Sequence, residues 1–265
     1  MSEGIDAITA AALGALQGLT EFFPVSSSGH VAVAAAFFGI HENSLALTVL
    51  LHLGTLVATI LVLRQDLAAL LTEAASSIRH PSRLRSTVEG RTLVAIVVAT
   101  AITAIVGLAL REMAEEFTEN LRLVGLGFLV SAAFLLASGV ASGTRDEMAW
   151  WIAVVVGLAQ GFAVLPGLSR SGLTIATAML LGARGSNAFR FSFLISIPAI
   201  VGAAILEGAG SGGLGSLGAM AWVGGATALV TGYVTLVMLL RIILVDRMWM
   251  FALYLVPLGL FLVTR

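Results

Sequence analysis

A short polar stretch, EFFPVSSSGH at residues 21–30, interrupts two apolar runs near the start of the chain. The residues in it whose side chains could take part in catalysis or binding are Glu21, Ser26, Ser27, Ser28 and His30. Gln17 lies one helical turn before Glu21, so a helix would turn both side chains to the same side. The serines precede the next apolar run, where a helix N-cap belongs. A carboxylate and an imidazole here can bind a metal, move a proton or activate a hydroxyl.

A second polar stretch, LPGLSRSGLT at residues 165–174, repeats this pattern and adds a cation. Its hydroxyls belong to Ser169, Ser171 and Thr174, and Arg170 stands among them. A helix N-terminus presents free N–H groups and partial positive charge, which favour phosphate. A guanidinium can donate two hydrogen bonds to phosphate oxygens at once, and it stays charged. Two such helix starts facing each other predict a pocket for a phosphate-rich head group.

The composition places these polar stretches inside a membrane protein. Of 265 residues, 58% are hydrophobic and 11% are charged, whereas soluble domains carry about 25% charged residues. The net charge of −1 argues against a nucleic-acid partner, and the lack of cysteine excludes disulfides and thiolate metal sites. We therefore expect an all-α polytopic protein that forms a single membrane domain over residues 1–265.

Apolar runs predict about ten helical segments of two kinds. Six runs are long enough to cross a bilayer, which needs roughly 20 residues: about 45–63, 92–111, 121–141, 190–206, 219–241 and 248–264. Four runs are short or interrupted: about 7–20, 31–40, 150–165 and 173–182. The short runs flank the two polar stretches, and non-helical backbone at membrane depth must be surrounded by protein or a cavity. They predict two re-entrant helical hairpins.

The two hairpins are related in sequence. A shift of 143 residues lays LGALQGLTEFFPVSSSGH (13–30) on VGLAQGFAVLPGLSRSGL (156–173), with six identities in 18 positions. Each half, about 1–145 and 146–265, then consists of one hairpin and three spans. Since three is odd, the second half is inverted relative to the first, an arrangement that places binding sites near the midplane.

Arginine placement predicts the orientation of the spans. Five arginines lie within residues 64–91, which we therefore expect to be cytoplasmic. The run 112–119 holds four glutamates and is expected to be a solvated outer loop. Both termini are then external, and the polar tips of the two hairpins meet inside the protein.

Each candidate residue also has a structural interpretation. A serine before a helix is more often a cap than a nucleophile. A hydrogen bond between helices is enough to explain Gln17 without a role in the site. His52, inside a predicted span, is expected to be a core histidine with satisfied hydrogen bonds. Glu21 and Arg170 are different, because ionisable groups at membrane depth are costly and usually functional, although a purely structural ion pair is an alternative.

The motifs QGLTEFFPVSSSGH (17–30) and PGLSRSGLT (166–174) together strongly resemble the signatures of the bacterial undecaprenyl-pyrophosphate phosphatases, the bacitracin-resistance family. The resemblance extends over the whole chain in length, span pattern and motif order. It implies hydrolysis of undecaprenyl pyrophosphate to the monophosphate and inorganic phosphate at the outer side of the bacterial plasma membrane. This reaction recycles the lipid carrier of cell-wall synthesis.

The resemblance also implies which residues act. Glu21, Ser27, His30 and Arg170 are the expected catalytic residues, with Ser27 as nucleophile; His30 or an activated water is the alternative. The expected substrate-binding residues are Gln17, Ser26, Ser28, Ser169, Ser171 and Thr174. A divalent cation, Mg²⁺ or Ca²⁺, is expected with the diphosphate, with Glu21 as its possible protein ligand. Many family members carry Glu at position 17, so Gln17 leaves Glu21 as the principal carboxylate.

The strongest rival function is transport. Inverted repeats with broken helices are typical of transporters, and an anionic prenyl-phosphate lipid could be flipped rather than hydrolysed. The expected partners are the prenyl pyrophosphate lipid and the bilayer. A homodimer is possible, because the glycine-rich segment 223–232 can pack either within or between subunits.

Overall fold

The computed structural model describes residues 6–38, 45–141, 143–208 and 218–265, and within these ranges the chain is helical with no strand. The helices are α1 (Ala7–Phe22), α2 (Ser27–Phe38), α3 (Leu45–Val62), α4 (Arg64–Arg79), α5 (Arg83–Ser86), α6 (Val88–Ala109), α7 (Arg111–Glu119), α8 (Leu121–Ser138), α9 (Trp150–Phe162), α10 (Arg170–Leu180), α11 (Gly185–Gly208), α12 (Ala219–Leu244) and α13 (Ala252–Val263), with a 3₁₀ turn at Met248–Phe251. The all-helical class is as predicted.

Four of these helices are long and apolar enough to cross a membrane: α6, α8, α11 and α12. Helix α3 runs into α4 through a bend of 80°, which makes this pair a fifth candidate span. The predicted span at 248–264 is divided into the 3₁₀ turn and α13, which has only 12 residues. Because a straight span needs roughly 20 residues, the six predicted spans become four or five.

The short apolar runs form the two helix pairs α1–α2 and α9–α10, as predicted. The chain leaves α1 at Phe22 and begins α2 at Ser27, so only four residues separate the pair. Asp6 caps α1 by accepting hydrogen bonds from the N–H groups of Ile8 and Thr9, both at 2.9 Å. Each polar stretch therefore lies between the end of one helix and the start of the next.

Three further helices, α4, α5 and α7, lie in connections where the sequence analysis expected none. The expectation that residues 112–119 form a loop was wrong, because they belong to α7. This segment consists mostly of Glu, Met and Ala, which are good helix formers. An acidic composition indicates exposure to water, but it does not exclude a helix.

An ion-pair network fixes α4 against α5 and α6. The Arg83 guanidinium donates to both oxygens of Glu73, at 3.0 and 2.6 Å, and the Thr87 hydroxyl donates to the same carboxylate at 2.9 Å. The hydrogen bonds from Arg83 hold the pKa of Glu73 below its ordinary value. A bidentate guanidinium–carboxylate contact has a defined geometry, so it sets the direction in which the chain leaves α4.

Glycines allow the first helix of each pair to pack closely against a helix from the other half of the chain. Helix α1 packs mainly against α12, and α9 packs mainly against α6. A Cβ atom on Gly14 would lie 2.2 Å from the carbonyl oxygen of Gly224, and one on Gly157 would lie 2.7 Å from that of Ala99. Small residues permit this backbone approach between membrane helices. The segment 223–232 thus packs within the chain through Gly224, Gly225 and Gly232. Of the two predicted alternatives, packing within or between subunits, the structure shows the first.

Buried aromatic rings pack beside the polar stretches that connect the helices of each pair. Phe22, the last residue of α1, is fully buried, and its ring centroid lies 5.7 Å from that of Phe193 in α11. Phe193 also packs on Phe189 at 4.9 Å and lies 5.6 Å below the guanidinium carbon of Arg170. Helix α11 therefore packs behind both polar stretches.

Candidate active site

The two polar stretches meet through an ion pair between Glu21 and Arg170, which are 149 residues apart in sequence. Arg170 Nη2 donates to Glu21 Oε1 at 2.5 Å. The Glu21 and Arg170 side chains are only 8% and 17% exposed. We call residues 21–30 the first tip and residues 165–174 the second tip. The ion pair joins a carboxylate at the end of α1 to a guanidinium at the start of α10.

The second oxygen of Glu21 accepts hydrogen bonds from two other predicted residues. Gln17 Nε2 donates to Oε2 at 3.1 Å from one turn earlier in α1, as the helical spacing predicts. Ser27 Oγ donates to the same oxygen at 2.9 Å from the first turn of α2. The hydroxyl proton of Ser27 therefore points at a carboxylate that can accept it.

Ser26 caps α2 and also binds the second tip. Its Oγ accepts from the N–H of Gly29 at 3.3 Å and from the N–H of Gly167 at 3.2 Å. Its φ of 71° lies in the left-handed region, which is uncommon for a residue other than glycine. The side chain thus serves as cap and cross-tip acceptor, and it holds Ser27 in the following position.

Ser169 caps α10 in the same way, and Ser131 of α8 supports it. Ser169 Oγ accepts from the N–H of Gly172 at 3.1 Å, while the Ser169 N–H donates to Ser131 Oγ at 2.8 Å. Ser131 Oγ donates in turn to the Gly167 carbonyl at 3.2 Å. The sequence analysis did not identify Ser131, because nothing in its apolar surroundings distinguishes it from a serine that packs in a helix.

A small cavity of about 40 Å³ lies where the tips meet. It is lined by Thr20, Glu21, Ser26, Ser27, Ser28, Ala163, Leu168, Ser169 and Arg170. Arg170 Nη1 is buried and has no hydrogen-bond partner in the described part of the chain, so one guanidinium nitrogen remains available. A larger cavity of about 220 Å³ lies elsewhere, beside Asp66, Glu89 and Arg190, and shares no residue with the tips.

His30 lies on α2 with both ring nitrogens occupied. Nδ1 is 2.8 Å from the carbonyl oxygen of Ser26, which can only accept, so Nδ1 carries the hydrogen. Nε2 is 2.7 Å from the hydroxyl of Tyr254 and therefore accepts from it in the neutral ring. The ring stacks on Tyr254 and packs on Phe128. These contacts hold the first turn of α2, and His30 does not line the cavity.

The remaining predicted residues divide between the cavity and the core. Ser28 lines the cavity. Ser171 is buried, with its Oγ 3.4 Å from that of Ser169. Thr174 is fully buried; its hydroxyl donates to the Arg170 carbonyl at 2.7 Å and lies 2.5 Å from Ser192 Oγ. Ser171 and Thr174 thus shape the first turns of α10 from behind the cavity.

His52, which the sequence analysis interpreted as a core histidine, lies beside Glu21. Its Nε2 is 3.8 Å from Glu21 Oε2, and its Nδ1 is 2.9 Å from the Thr48 carbonyl oxygen. The side chain is 35% exposed, so it is not sealed in the core. No local pattern signals this position, because it depends on how α3 packs against its neighbours.

The protein's own donors do not fit a divalent cation. The described residues contain no group of three or more His, Asp or Glu side chains suited to a metal. Among the described residues Glu21 is the only carboxylate that lines the cavity, and its two oxygens already accept from Arg170, Gln17 and Ser27. Mg²⁺ and Ca²⁺ need several oxygen ligands, so these residues would have to be supplemented by oxygens from a bound molecule.

Residues 10–261 match the protein family described as bacitracin resistance protein BacA. The chain belongs to the BacA family. Its relatives include the undecaprenyl-diphosphatase of Desulfosudis oleivorans, which is 40% identical over 269 residues, covering 96% of this chain and 97% of the relative. The undecaprenyl-diphosphatase of Treponema denticola is 37% identical over 252 residues, covering 94% and 93%. That of Korarchaeum cryptofilum is 38% identical over 251 residues, covering 94% and 95%.

The BacA match includes both tips and the helices that carry them. The cluster of Glu21, Ser27, Arg170 and His52 therefore lies within the region that defines the family. Together with the long apolar helices, the match makes this chain a multi-pass membrane protein.

Proposed function

We propose that the protein is a membrane phosphatase that hydrolyses undecaprenyl diphosphate to undecaprenyl phosphate and inorganic phosphate, and so recycles the lipid carrier of cell-wall synthesis. The relatives that match nearly the whole chain are undecaprenyl-diphosphatases. The observation that carries the proposal is the meeting of Glu21, Ser27 and Arg170 at one cavity, with one guanidinium nitrogen unused.

The diphosphate is bound by positive groups from the second tip. Arg170 Nη1 has no hydrogen-bond partner in the described ranges, and Arg170 is also the first residue of α10, where free N–H groups favour anions. The N-terminus of α2 faces it from the first tip, with Ser26 and Ser28 at the cavity wall. Phosphoryl transfer depends mainly on positioning and on neutralising charge, which this arrangement supplies.

Ser27 is the nucleophile. Its Oγ attacks the terminal phosphorus, the Oγ–P bond forms and the bridging P–O bond breaks, so that undecaprenyl phosphate leaves. The proton of Ser27 passes to Glu21 Oε2, which already accepts its hydrogen bond at 2.9 Å. Water then hydrolyses the phosphorylated serine and releases inorganic phosphate. Ser27 is favoured over His30 because both ring nitrogens of His30 are engaged.

A divalent cation, Mg²⁺ or Ca²⁺, would be held in this proposal mainly by the diphosphate itself. The diphosphate oxygens supply the anionic ligands that the cavity lacks, since Glu21 already accepts three hydrogen bonds from Arg170, Gln17 and Ser27. The cation would add charge neutralisation to that of Arg170.

The architecture we propose is an inverted repeat of two halves, each with a re-entrant hairpin. Equivalent contacts on both tips support it. A Cβ atom on Gly29 would lie 3.0 Å from Gly167, and one on Gly172 would lie 3.2 Å from Pro24; the 143-residue shift relates these two pairs to each other. The packing of α1 on α12 and of α9 on α6 is also exchanged between the halves, because α6 and α12 hold the same place in the order of candidate spans within each half.

The proposed location is the bacterial plasma membrane, with both termini and the opening of the active site on the outer side. The arginines of α4, α5 and the start of α6 support a cytoplasmic position for that segment. Because the chain has no cysteine, single cysteines at Arg79 and Glu115 can be labelled in intact cells with an impermeant maleimide. Labelling of the Glu115 site alone is expected. Any homodimer would have to use a surface other than the glycines of α12, which face α1 and α3.

The deciding experiment is phosphate release from a prenyl pyrophosphate by purified protein in detergent, with Mg²⁺, Ca²⁺ or EDTA. Wild type, Glu21→Gln and Arg170→Ala are compared after each is shown to be folded. Release that is lost in both folded variants is the expected result. If folded wild type releases no phosphate under any condition, the hydrolase proposal fails and flipping of an anionic prenyl-phosphate lipid becomes the better explanation.

A further inference from the structure

Hydrolysis through Ser27 leaves a proton on Glu21 that this carboxylate is badly placed to keep. Arg170 donates to Oε1 of the same group, and both side chains are largely buried. Protonated Glu21 would no longer balance the guanidinium, and a buried unpaired charge is costly. A second group must therefore take the proton so that the ion pair is restored.

Among the described residues, His52 is the titratable neighbour that can take this proton. Its Nε2 lies 3.8 Å from Oε2, the same oxygen that accepts the hydrogen bond of Ser27. Gln17, which also contacts Oε2, carries an amide that is not a base. His30 contacts Ser26 and Tyr254 instead of Glu21.

The tautomer of His52 presents its basic nitrogen to the site. Nδ1 is 2.9 Å from the Thr48 carbonyl oxygen, and because a carbonyl only accepts, Nδ1 carries the hydrogen. In the neutral ring Nε2 then holds a free lone pair, and no hydrogen-bond partner of Nε2 is found in the described ranges. A movement of about 1 Å would bring Nε2 and Oε2 to hydrogen-bonding distance.

We propose that His52 is a catalytic residue of the hydrolysis, the terminal acceptor of the proton that leaves Ser27. This proposal rests on the proposed phosphatase function. In the first step the Ser27 Oγ–P bond forms, the bridging P–O bond breaks, and the hydroxyl proton moves through Glu21 Oε2 to His52 Nε2. In the second step water hydrolyses the phosphorylated serine: its oxygen joins phosphorus and one of its protons returns to Ser27. The imidazolium then releases its proton to solvent, so one proton leaves per turnover.

The chain offers a matched control for this assignment. His80 is an exposed histidine that follows α4, far in sequence from both tips. His52→Gln and His80→Gln make the same chemical change, one beside Glu21 and the other outside the site. His52→Ala provides a second variant with space for added imidazole.

The experiment measures kcat and KM for phosphate release by full-length protein in detergent, after thermal unfolding has shown each variant to be folded. His52→Gln is expected to lower kcat about 10²-fold, the low end for a positioned acid–base group, with KM within about twofold of wild type. His80→Gln is expected to leave both values unchanged. Added imidazole is expected to restore part of the kcat of His52→Ala and none of that of Glu21→Gln.

Two outcomes overturn the proposal while the phosphatase function stands. One is an active wild type with a His52→Gln variant whose kcat is within twofold of it. The other is a lower kcat in His52→Ala that imidazole does not raise, which would make His52 a packing residue. An inactive wild type instead contradicts the proposed function, so the two failures are distinguishable.

Discussion

The ion pair between Glu21 and Arg170 gives the sharpest test of whether the tips form an active site or a structural clamp. The perturbation is a set of three variants: Glu21→Gln, Arg170→Gln and the double variant. The two side chains are 8% and 17% exposed and lie 2.5 Å apart. Each single change leaves the partner charge buried without compensation, which costs about 3–5 kcal/mol of unfolding free energy.

The double variant separates the two interpretations. The double variant removes both buried charges together and so avoids the unpaired charge of each single variant, and its unfolding free energy is expected to lie closer to that of wild type than either single variant's. Its activity should not recover, because Arg170 Nη1 and the carboxylate that accepts the Ser27 proton are both gone. Loss of charge stabilisation of this kind lowers turnover by about 10³-fold or more.

The assay combines reversible unfolding in mixed micelles, followed by circular dichroism, with phosphate release from a prenyl pyrophosphate. We expect both single variants to be destabilised and inactive, and the double variant to be stable and inactive. A stable double variant with wild-type turnover would refute the reasoning, since the pair would then serve only to hold the tips together. Single variants that unfold like wild type would show that the pair is not buried.

Three further predictions concern packing, acid stability and the cation. Gly14→Val should prevent stable folding, because the new Cβ would lie 2.2 Å from the Gly224 carbonyl oxygen. Gly107→Val should fold, because no neighbouring atom of the described residues lies within 4 Å of its Cβ position. Thermal unfolding in detergent checks both variants. The stabilisation that the Glu73 carboxylate gives to the folded state should be fully present above pH 4.5 and should be lost as the pH falls through its lowered pKa. The unfolding temperature of Glu73→Gln should therefore depend less on pH in the acid range than that of wild type. Gln17→Glu should lower the cation concentration that gives half-maximal phosphate release, because it places a second carboxylate beside Glu21.

The sequence predicts the helices near the site well because their limits are set locally. Apolar runs fix the existence of α1, α2, α9 and α10, and the serine–glycine pattern fixes the starts of α2 and α10. The meeting of the tips is predicted from the sequence similarity of the two polar stretches, since polar stretches in apolar surroundings need each other or water. These features depend on short-range chemistry that a single sequence displays.

Other features depend on packing that no local pattern records. His52 lies in an apolar helix and looks like a core residue until α3 is placed beside α1. Thr174 follows Arg170 by one helical turn, yet its hydroxyl binds the Arg170 carbonyl and lies beside Ser192 in the core. The acidic charge of residues 112–119 predicts a loop, but an exposed helix carries charge equally well, and the segment belongs to α7.

The two tips have equivalent serine caps and different chemistry, and in the proposed mechanism this difference makes both necessary. In the repeat that we propose, Ser27 is the counterpart of Arg170, and both donate to Glu21, one to each oxygen. The counterpart of Glu21 is Val164, so only one carboxylate stands between the two donors. In the proposed mechanism Glu21 contacts both the nucleophile Ser27 of one half and the phosphate-binding Arg170 of the other, so neither half alone contains a complete site.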